Sequence, residues 1–254
     1  MNRFIYYLTR YLKGIKLIIK ASLQLKKYKV GTFLLYKYSI QSISIFLVRL
    51  VVNRKIAKDF DQYVKRELSL SFNWFGQNSQ IWIHFFKKYN LERKKINILE
   101  IGTFEGLSVS FFLRYLKKSK LMAIDSLNRN TPFYKNFKKN KKKIRSFKFY
   151  NISSNTFFKR YKKDKFDIIY VDGAHDCKNV INDGKNSFKI LKKGGILIFD
   201  DLLYEYENKN KNKIKKKKKK VESDFVVGGI LLFLSRFKDV EILYAGHQLI
   251  LRKK

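Results

Sequence analysis

Between residues 96 and 201 the chain repeats one pattern: a short apolar run, a polar break, then a longer stretch of helical periodicity. INILEIG, LMAID, FKFYNIS, FDIIYVDG and GILIFDD are the apolar runs. Each suits a buried strand and is too short for an ordinary helix. Helical stretches separate them. One runs to about Leu116, one crosses TPFYKNFKKNKKK, and one puts Val180, Gly184, Ser187, Phe188 and Leu191 on a single face. Strands alternating with helices in this way predict a parallel sheet with helices on both faces.

The C-terminal end breaks the alternation. After a helix expected near residues 222–236, DVEILYAG and HQLILRK follow one another with only Gly246 and His247 to turn the chain. That is a hairpin, so the last strand is expected to run antiparallel to its neighbour. The intervening ENKNKNKIKKKKKK repels itself and predicts a flexible, Lys-rich surface loop over residues 207–221.

The N-terminal quarter has a different character. Residues 1–58 contain no Asp or Glu. Phe4, Ile5, Leu8, Tyr11, Leu12, Ile15, Ile18 and Ile19 recur at helical spacing, with Arg3, Arg10, Lys13 and Lys20 mainly on other faces. Such a basic amphipathic helix either lies on an anionic membrane surface or packs on the domain with its lysines in water. No stretch reaches the ~18 uncharged apolar residues of a spanning helix. The best, SISIFLVRLVV, is interrupted by Arg49. The N-terminal segment has charges within its apolar part and lacks a small-residue cleavage site, so a signal peptide is not expected. The division expected is a basic helical extension over 1–65 and an α/β domain over 66–254. The location expected is the cytoplasm, with the extension able to hold the protein peripherally at a membrane.

The formal net charge of +37 points towards a nucleic-acid or membrane partner. It also follows from composition. Lys, Asn, Ile, Phe and Tyr are abundant, Pro occurs once, and all the enriched residues have A/T-rich codons. Charge alone therefore does not choose the function. One cysteine, Cys177, excludes an intramolecular disulfide and a structural zinc site of cysteines.

The sharpest local signal is ILEIGTFEGLS at 98–108. In open parallel sheets, ligands bind beyond the carboxyl ends of the strands. Gly102 sits at such an end, where a glycine lets the backbone turn and a ligand approach. Gly106 falls at the start of the next helix, whose free N–H groups can face a negative group. The spacing is not G-x-G-x-x-G, so a pyrophosphate-binding dinucleotide fold is the weaker reading. Glu100 instead suits a cationic ligand. Asp125, ending the second strand, can accept hydrogen bonds from both hydroxyls of a ribose. A cationic nucleoside with a free ribose describes S-adenosylmethionine.

E-x-G-x-x-x-G, an acid ending the second strand, YVDGAH and LKKGGILIFDD, in that order, resemble the class I S-adenosylmethionine-dependent methyltransferases, and more narrowly the methyltransferase 24 family. The resemblance runs from the aromatic-rich FNWFGQNSQIWIHFF at residue 72 to the C-terminus. It implies a Rossmann-like seven-stranded sheet with an antiparallel last strand. Carried over by position, it implies that Glu100, Gly102, Thr103 and Gly106, with Ser108 beside them, line the methionine end of the cofactor. Asp125, next to Ser126, would hold the ribose, and Ser153 or Ser154 would lie near the adenine.

Asp172 ends the fourth strand, and Asp200 and Asp201 end the fifth. Neighbouring strands would bring them to one rim, where three carboxylates repel unless a positive group sits among them. Hard oxygen ligands suit Mg²⁺, and some related O-methyltransferases hold an ion there. This chain has Asp-Asp where catechol-type enzymes have Asp-Asn. His175, three residues after Asp172, is the candidate general base or a partner that orients Asp172. The alternatives are that Asp172 caps the next helix and that the Asp pair caps a turn. His84 and His247 have weaker claims, and Cys177 is a poor nucleophile. The expected activity is methyl transfer to an oxygen of a small molecule or sugar. An RNA methyltransferase, and an inactive membrane-associated binding protein of the same fold, are the other readings.

Overall fold

A computed structural model describes residues 3–51, 54–75, 78–161, 165–204 and 225–254. The helices are α1 (Arg3–Gln24), α2 (Tyr28–Val51), α3 (Arg54–Glu67), α4 (Asn78–Lys88), α5 (Leu107–Tyr115), α6 (Pro132–Lys143), α7 (Ser154–Arg160), α8 (Cys177–Ile190) and α9 (Val226–Arg236). The strands are β1 (Asn97–Ile101), β2 (Lys120–Asp125), β3 (Lys148–Asn151), β4 (Phe166–Val171), β5 (Leu191–Phe199), β6 (Val240–Ala245) and β7 (Leu249–Lys253). They form one seven-stranded sheet in the order β3-β2-β1-β4-β5-β7-β6. The first five strands are parallel, and β7 runs antiparallel to both β5 and β6.

The central strands are buried on both faces because they carry apolar residues in unbroken runs, and the period of two deals them alternately to the two sides. Leu99, Ile101, Ile124, Ile169 and Leu197 share one core with α1, α2, α7, α8 and α9. Ile98, Ala123, Ile168, Tyr170 and Ile198 share the other with α3, α4 and α5. Chain reversal at β1 fixes where the site lies. Ile101 pairs with Ile124 and Val171, and Val171 pairs with Phe199. The next residues, Gly102, Asp172 and Asp200, therefore leave the sheet at a single rim, beside Asp125 at the end of β2.

Three details differ from the sequence reading. Leu191 opens β5 instead of closing the preceding helix, because the LKKGG segment continues the strand. α7 was hidden by its shortness, and α3 carries helix across the expected boundary at residue 65. The expected Lys-rich loop, 207–221, lies outside the described residues. The N-terminal helix packs on the domain along one side: Leu17, Ile18 and Ala21 are buried in the core with α9, and α2 closes against it.

At the centre of the second core, Trp82 of α4 is fully buried. It stacks on Phe112 at 4.5 Å and meets Tyr170 edge-on at 4.9 Å. Its indole N–H donates to Gln248 Oε1 at 2.8 Å, tying α4 to the β6–β7 turn. Trp82→Ala is expected to cost about 3–5 kcal/mol in a denaturant melt. Trp82→Phe should cost only about 1–3 kcal/mol, because packing is largely kept while a buried amide oxygen loses its donor.

Candidate active site

The site begins with the turn after β1. Glu100 is fully buried and points to the α5 side of the sheet. It accepts hydrogen bonds from the Ser108 hydroxyl and, at 3.3 Å, from Thr103 Oγ1. Burial pushes its carboxyl up to about 8; Ser108 and Thr103 oppose the shift, and Asp172 and Asp125 add to it. Gly102 has φ +87°, and a Cβ there would stand 1.8 Å from the Asp172 carbonyl oxygen. The glycine is thus required by the neighbouring strand end as well as by the turn. Gly106, also left-handed at φ +88°, caps α5; a Cβ would come no nearer than 3.4 Å to Ile144. Backbone conformation, not space, selects it.

Between these glycines Phe104 adopts φ +45°, uncommon for a bulky residue. Asp125 secures the strained turn by accepting the Phe104 N–H at 2.7 Å. Burial raises the Asp125 carboxyl, and the N–H groups of Phe104, Ser126 and Thr103 pull it back. Ser126 is exposed beside it. Ser153 caps α7 by accepting from Thr156 N, and Ser154 hydrogen-bonds Asp183, whose carboxyl burial lifts to about 6. Asn151, level with Asp125 in the β2–β3 ladder, donates to the Leu127 carbonyl, while its buried Oδ1 has no protein partner.

An open cleft lies over the turn. Its lining includes Gly102, Thr103, Ser108, Tyr170, Asp172 and Asp200, with Phe72, Trp74 and Phe75 on the opposite wall. That wall is a strap after α3, and Glu105 holds it. The buried carboxylate accepts from Ser71 N at 2.7 Å, Ser71 Oγ at 2.8 Å and Asn136 Nδ2 at 2.8 Å. Asn140 adds a reciprocal pair with the Ser69 backbone. The strap presents a tier of parallel rings: Phe72 on Trp74 at 4.8 Å, and Trp74 on Phe104 at 5.5 Å. Trp74 is 70% exposed despite its size. Nothing in the spacing of Glu105 or Asn140 marks them as clamps, so sequence reasoning passed over them.

The acids beyond β4 and β5 do converge. Tyr170, buried beneath them, donates its single proton between Asp172 Oδ2, at 2.9 Å, and Asp200 Oδ2. His175 Nε2 is 2.9 Å from Asp201 Oδ2 and 3.7 Å from Asp172 Oδ1. Its nearer partner is thus Asp201, not the Asp172 that sequence spacing favoured. Asp172 does not cap α8; Asp176 does. Asp200 does accept the Asp201 N–H at 2.8 Å, as a turn-capping residue would. His247 Nε2 approaches Asp201 at 3.4 Å and Asp200 at 4.0 Å, from the hairpin turn whose claim was the weaker one. Arg10, on α1, reaches His247 Nδ1 at 3.2 Å. The chain direction of β7 brings His247 in, and only the packed fold reveals it. His84 stays on α4 against Phe85, and Cys177 is buried at the start of α8.

Charge in this cluster is unevenly shared. Burial, then Asp200 and Asp201, push the Asp172 carboxyl up to about 8, against the pull of His175. Burial and Asp201 raise Asp200. Asp201 resists burial and stays below the usual range because His175, His247 and Arg10 surround it. The neighbouring Asp172 and Asp201 carboxylates lift the His175 imidazole to about 10, against the effect of burial. Asp172, His175 and Asp201 offer one ligand atom each within 4.8 Å of one another, as do Asp200, Asp201 and His247.

Comparison with known proteins agrees with this architecture. The methyltransferase 24 family, described as a methyltransferase domain, matches residues 99–202, from β1 to just past the Asp pair. An uncharacterised protein of Acanthamoeba polyphaga mimivirus, R132, is 31% identical over 165 residues, covering 59% of this chain and 69% of that protein. Among solved structures, a Staphylococcus aureus protein described as a caffeoyl-CoA O-methyltransferase superposes with a TM-score of 0.53 at 17% identity, over 84% of this chain and 98% of the other. A Klebsiella pneumoniae protein described as an O-methyltransferase gives 0.52 at 13%, over 86% and 97%. MycE, a methyltransferase of the mycinamycin biosynthetic pathway crystallised with Mg and SAH, gives 0.53 at 15%, over 78% and 54%. With its sheet order, its β1 turn and the matched span all in accord, the chain belongs to the class I S-adenosylmethionine-dependent methyltransferases, within the methyltransferase 24 family.

Proposed function

We propose that the protein transfers a methyl group to a hydroxyl oxygen of a small molecule or sugar. The observation that carries this reading is one cleft lined by the turn after β1, by Asp172 and Asp200 of the acid cluster, and by an aromatic tier, with His175 behind those acids. S-adenosylmethionine supplies a methyl group already activated on a sulfonium. The residues present fit it: Glu100 and Asp172 are carboxyls that burial holds protonated and that a cation would draw into the ionised form, and Asn151 keeps a buried acceptor without a protein partner at the end of β3. Thr103 and Ser108 shape the methionine end, and Asp125 retains lone pairs for a ribose while holding the Phe104 turn. Trp74 and Phe72 offer ring faces on which a sugar or an aromatic acceptor can lie.

The acceptor hydroxyl must lose its proton as the new bond forms. His175 takes that role here, with Asp201 orienting the imidazole and stabilising its charged form. In the unliganded site the imidazole already holds a proton, so the reaction quickens as pH rises and that proton leaves. The arrangement otherwise acts by positioning, which suits an activated leaving group. Asp172 and Asp201 also fit a divalent cation such as Mg²⁺, with His175 as a third ligand in place of its role as base, and MycE provides a precedent for magnesium on this fold. Such an ion would polarise the acceptor oxygen and lower its pKa.

Three outcomes are expected. Cofactor affinity measured by calorimetry should rise with pH up to about 8 and then level, by as much as roughly tenfold per unit, because a cation favours ionised Glu100. Glu100→Gln should weaken binding and flatten that profile; a profile of unchanged slope would remove Glu100 from the cationic end. His175→Gln should lower kcat by about 10²–10⁴ and abolish its alkaline rise, leaving cofactor affinity nearly unchanged. Mg²⁺ should raise the melting temperature of the wild type but not of Asp201→Asn; equal responses would exclude this cluster as the ion's site.

A further inference from the structure

We propose that the outer surface of the α1–α2 hairpin docks on an anionic lipid membrane. The hairpin divides its apolar residues between two faces. Tyr11, Ile15, Leu17, Ile18 and Ala21 of α1, with Leu34 and Tyr38 of α2, pack into the domain. Leu8, Leu12, Ile19 and Leu23 recur on the opposite stripe of α1, each between 43% and 58% exposed. On α2, Phe33, Tyr36 and Ile40 are 49–59% exposed. Gly14 lies against Tyr38, and Gly31 against Ser22. That antiparallel register sets Ile19 level with Phe33 and Leu12 level with Ile40. The exposed apolar residues of the two helices thus recur at matching heights along the hairpin, on the sides turned away from the core, instead of as scattered single residues.

The occupant follows from what surrounds that surface. The first 58 residues carry thirteen Lys and Arg and no acid. Lys13 and Lys16 are exposed on α1, and Lys37 reaches over the Phe33 ring at 5.7 Å. Large aliphatic side chains rimmed by lysines match the boundary between headgroups and acyl chains, where the apolar groups insert and the ammonium groups stay in water. A second copy of the chain would bring two like-charged faces together. A nucleic acid would use the lysines but leave leucine and isoleucine without a partner. No helix among the described residues is long and apolar enough to cross a bilayer, so the geometry is that of a helix pair lying in the surface plane. Arg10 joins this device to the acid cluster, since the docking helix itself touches His247.

The proposal needs no cofactor, so its test is separate from that of methyl transfer. The full chain is mixed with vesicles of phosphatidylcholine alone, or of phosphatidylcholine with phosphatidylserine, and floated on a gradient. Wild type should float with the anionic vesicles and largely remain behind with the neutral ones. Leu12→Gln/Phe33→Gln, which removes two exposed side chains, should lose most of that binding. Lys13→Glu/Lys16→Glu should lose roughly tenfold or more, with unchanged melting temperatures showing that the variants fold. Flotation equal to wild type in the Leu12/Phe33 variant would overturn the proposal, because charge elsewhere would then be the cause. It would also be overturned by no flotation of wild type, by a dimer that the Leu12/Phe33 variant dissolves, or by RNA binding that the lysine variant alone abolishes.

Discussion

Everything at the rim of this sheet depends on keeping five carboxylates in one small volume. Glu100, Asp125, Asp172, Asp200 and Asp201 all leave the ends of β1, β2, β4 and β5 on the same side, because the parallel register gives the strands no alternative. Like charges so close cannot all ionise unless each finds a partner. The chain meets this constraint with a different partner for each acid. Hydroxyls serve Glu100, backbone N–H groups serve Asp125, a phenol bridges Asp172 and Asp200, and two imidazoles with a guanidinium surround Asp201. The last set leaves Asp201 the most acidic of the three cluster aspartates, and the others are raised. An incoming cation is therefore favoured twice: it gains attraction and relieves repulsion.

That economy explains which parts of the site were readable in the sequence. Strand ends are legible, since an apolar run stopping at an acid or a glycine marks where the chain leaves the sheet. Glu100, Gly102, Asp125, Asp172, Asp200 and Asp201 all lie at such ends, and the parallel sheet follows from the alternation of runs. The partners of the acids were harder. Tyr170 looks like any core aromatic in FDIIYVDG, because its hydroxyl matters only once β5 lies beside β4. His247 sits more than seventy residues from His175 and joins it only because β7 inserts antiparallel between β5 and β6. Arg10 lies farther away still. Such contacts depend on tertiary closure, which local pattern does not encode.

The glycines carry a related lesson. The sequence places Gly102 and Gly106 at a turn, as their left-handed φ values bear out, but it does not show the close neighbour that excludes a side chain at the first. In the structure a side chain at Gly102 would strike the carbonyl of Asp172. The residue thus fixes the distance between the β1 and β4 tips, and with it the separation of Glu100 from Asp172. A packing requirement and a binding requirement have become the same requirement. Asp125 works similarly, because the carboxylate suited to a ribose also secures the left-handed Phe104. Replacing it would disturb the shape of the cleft as well as its chemistry.

The aromatic strap and the N-terminal hairpin stand on opposite sides of this argument. The strap is polar-anchored and apolar-facing: Glu105 and Asn140 spend buried hydrogen bonds to hold Phe72 and Trp74 over the cleft. Leaving rings of that size in water would be wasteful in a structure that merely needed closing, and the clamp gives them a fixed position against which an acceptor can be oriented. The hairpin is held differently, by apolar packing on one side of each helix, and it leaves large apolar side chains among lysines on the other. A helix that only needed to cover the domain would carry polar residues there. The same composition bias that floods the chain with lysine does not dictate where leucine and isoleucine recur. Their register across two helices is a property of the fold, and it separates a surface built to meet something from one that is simply basic.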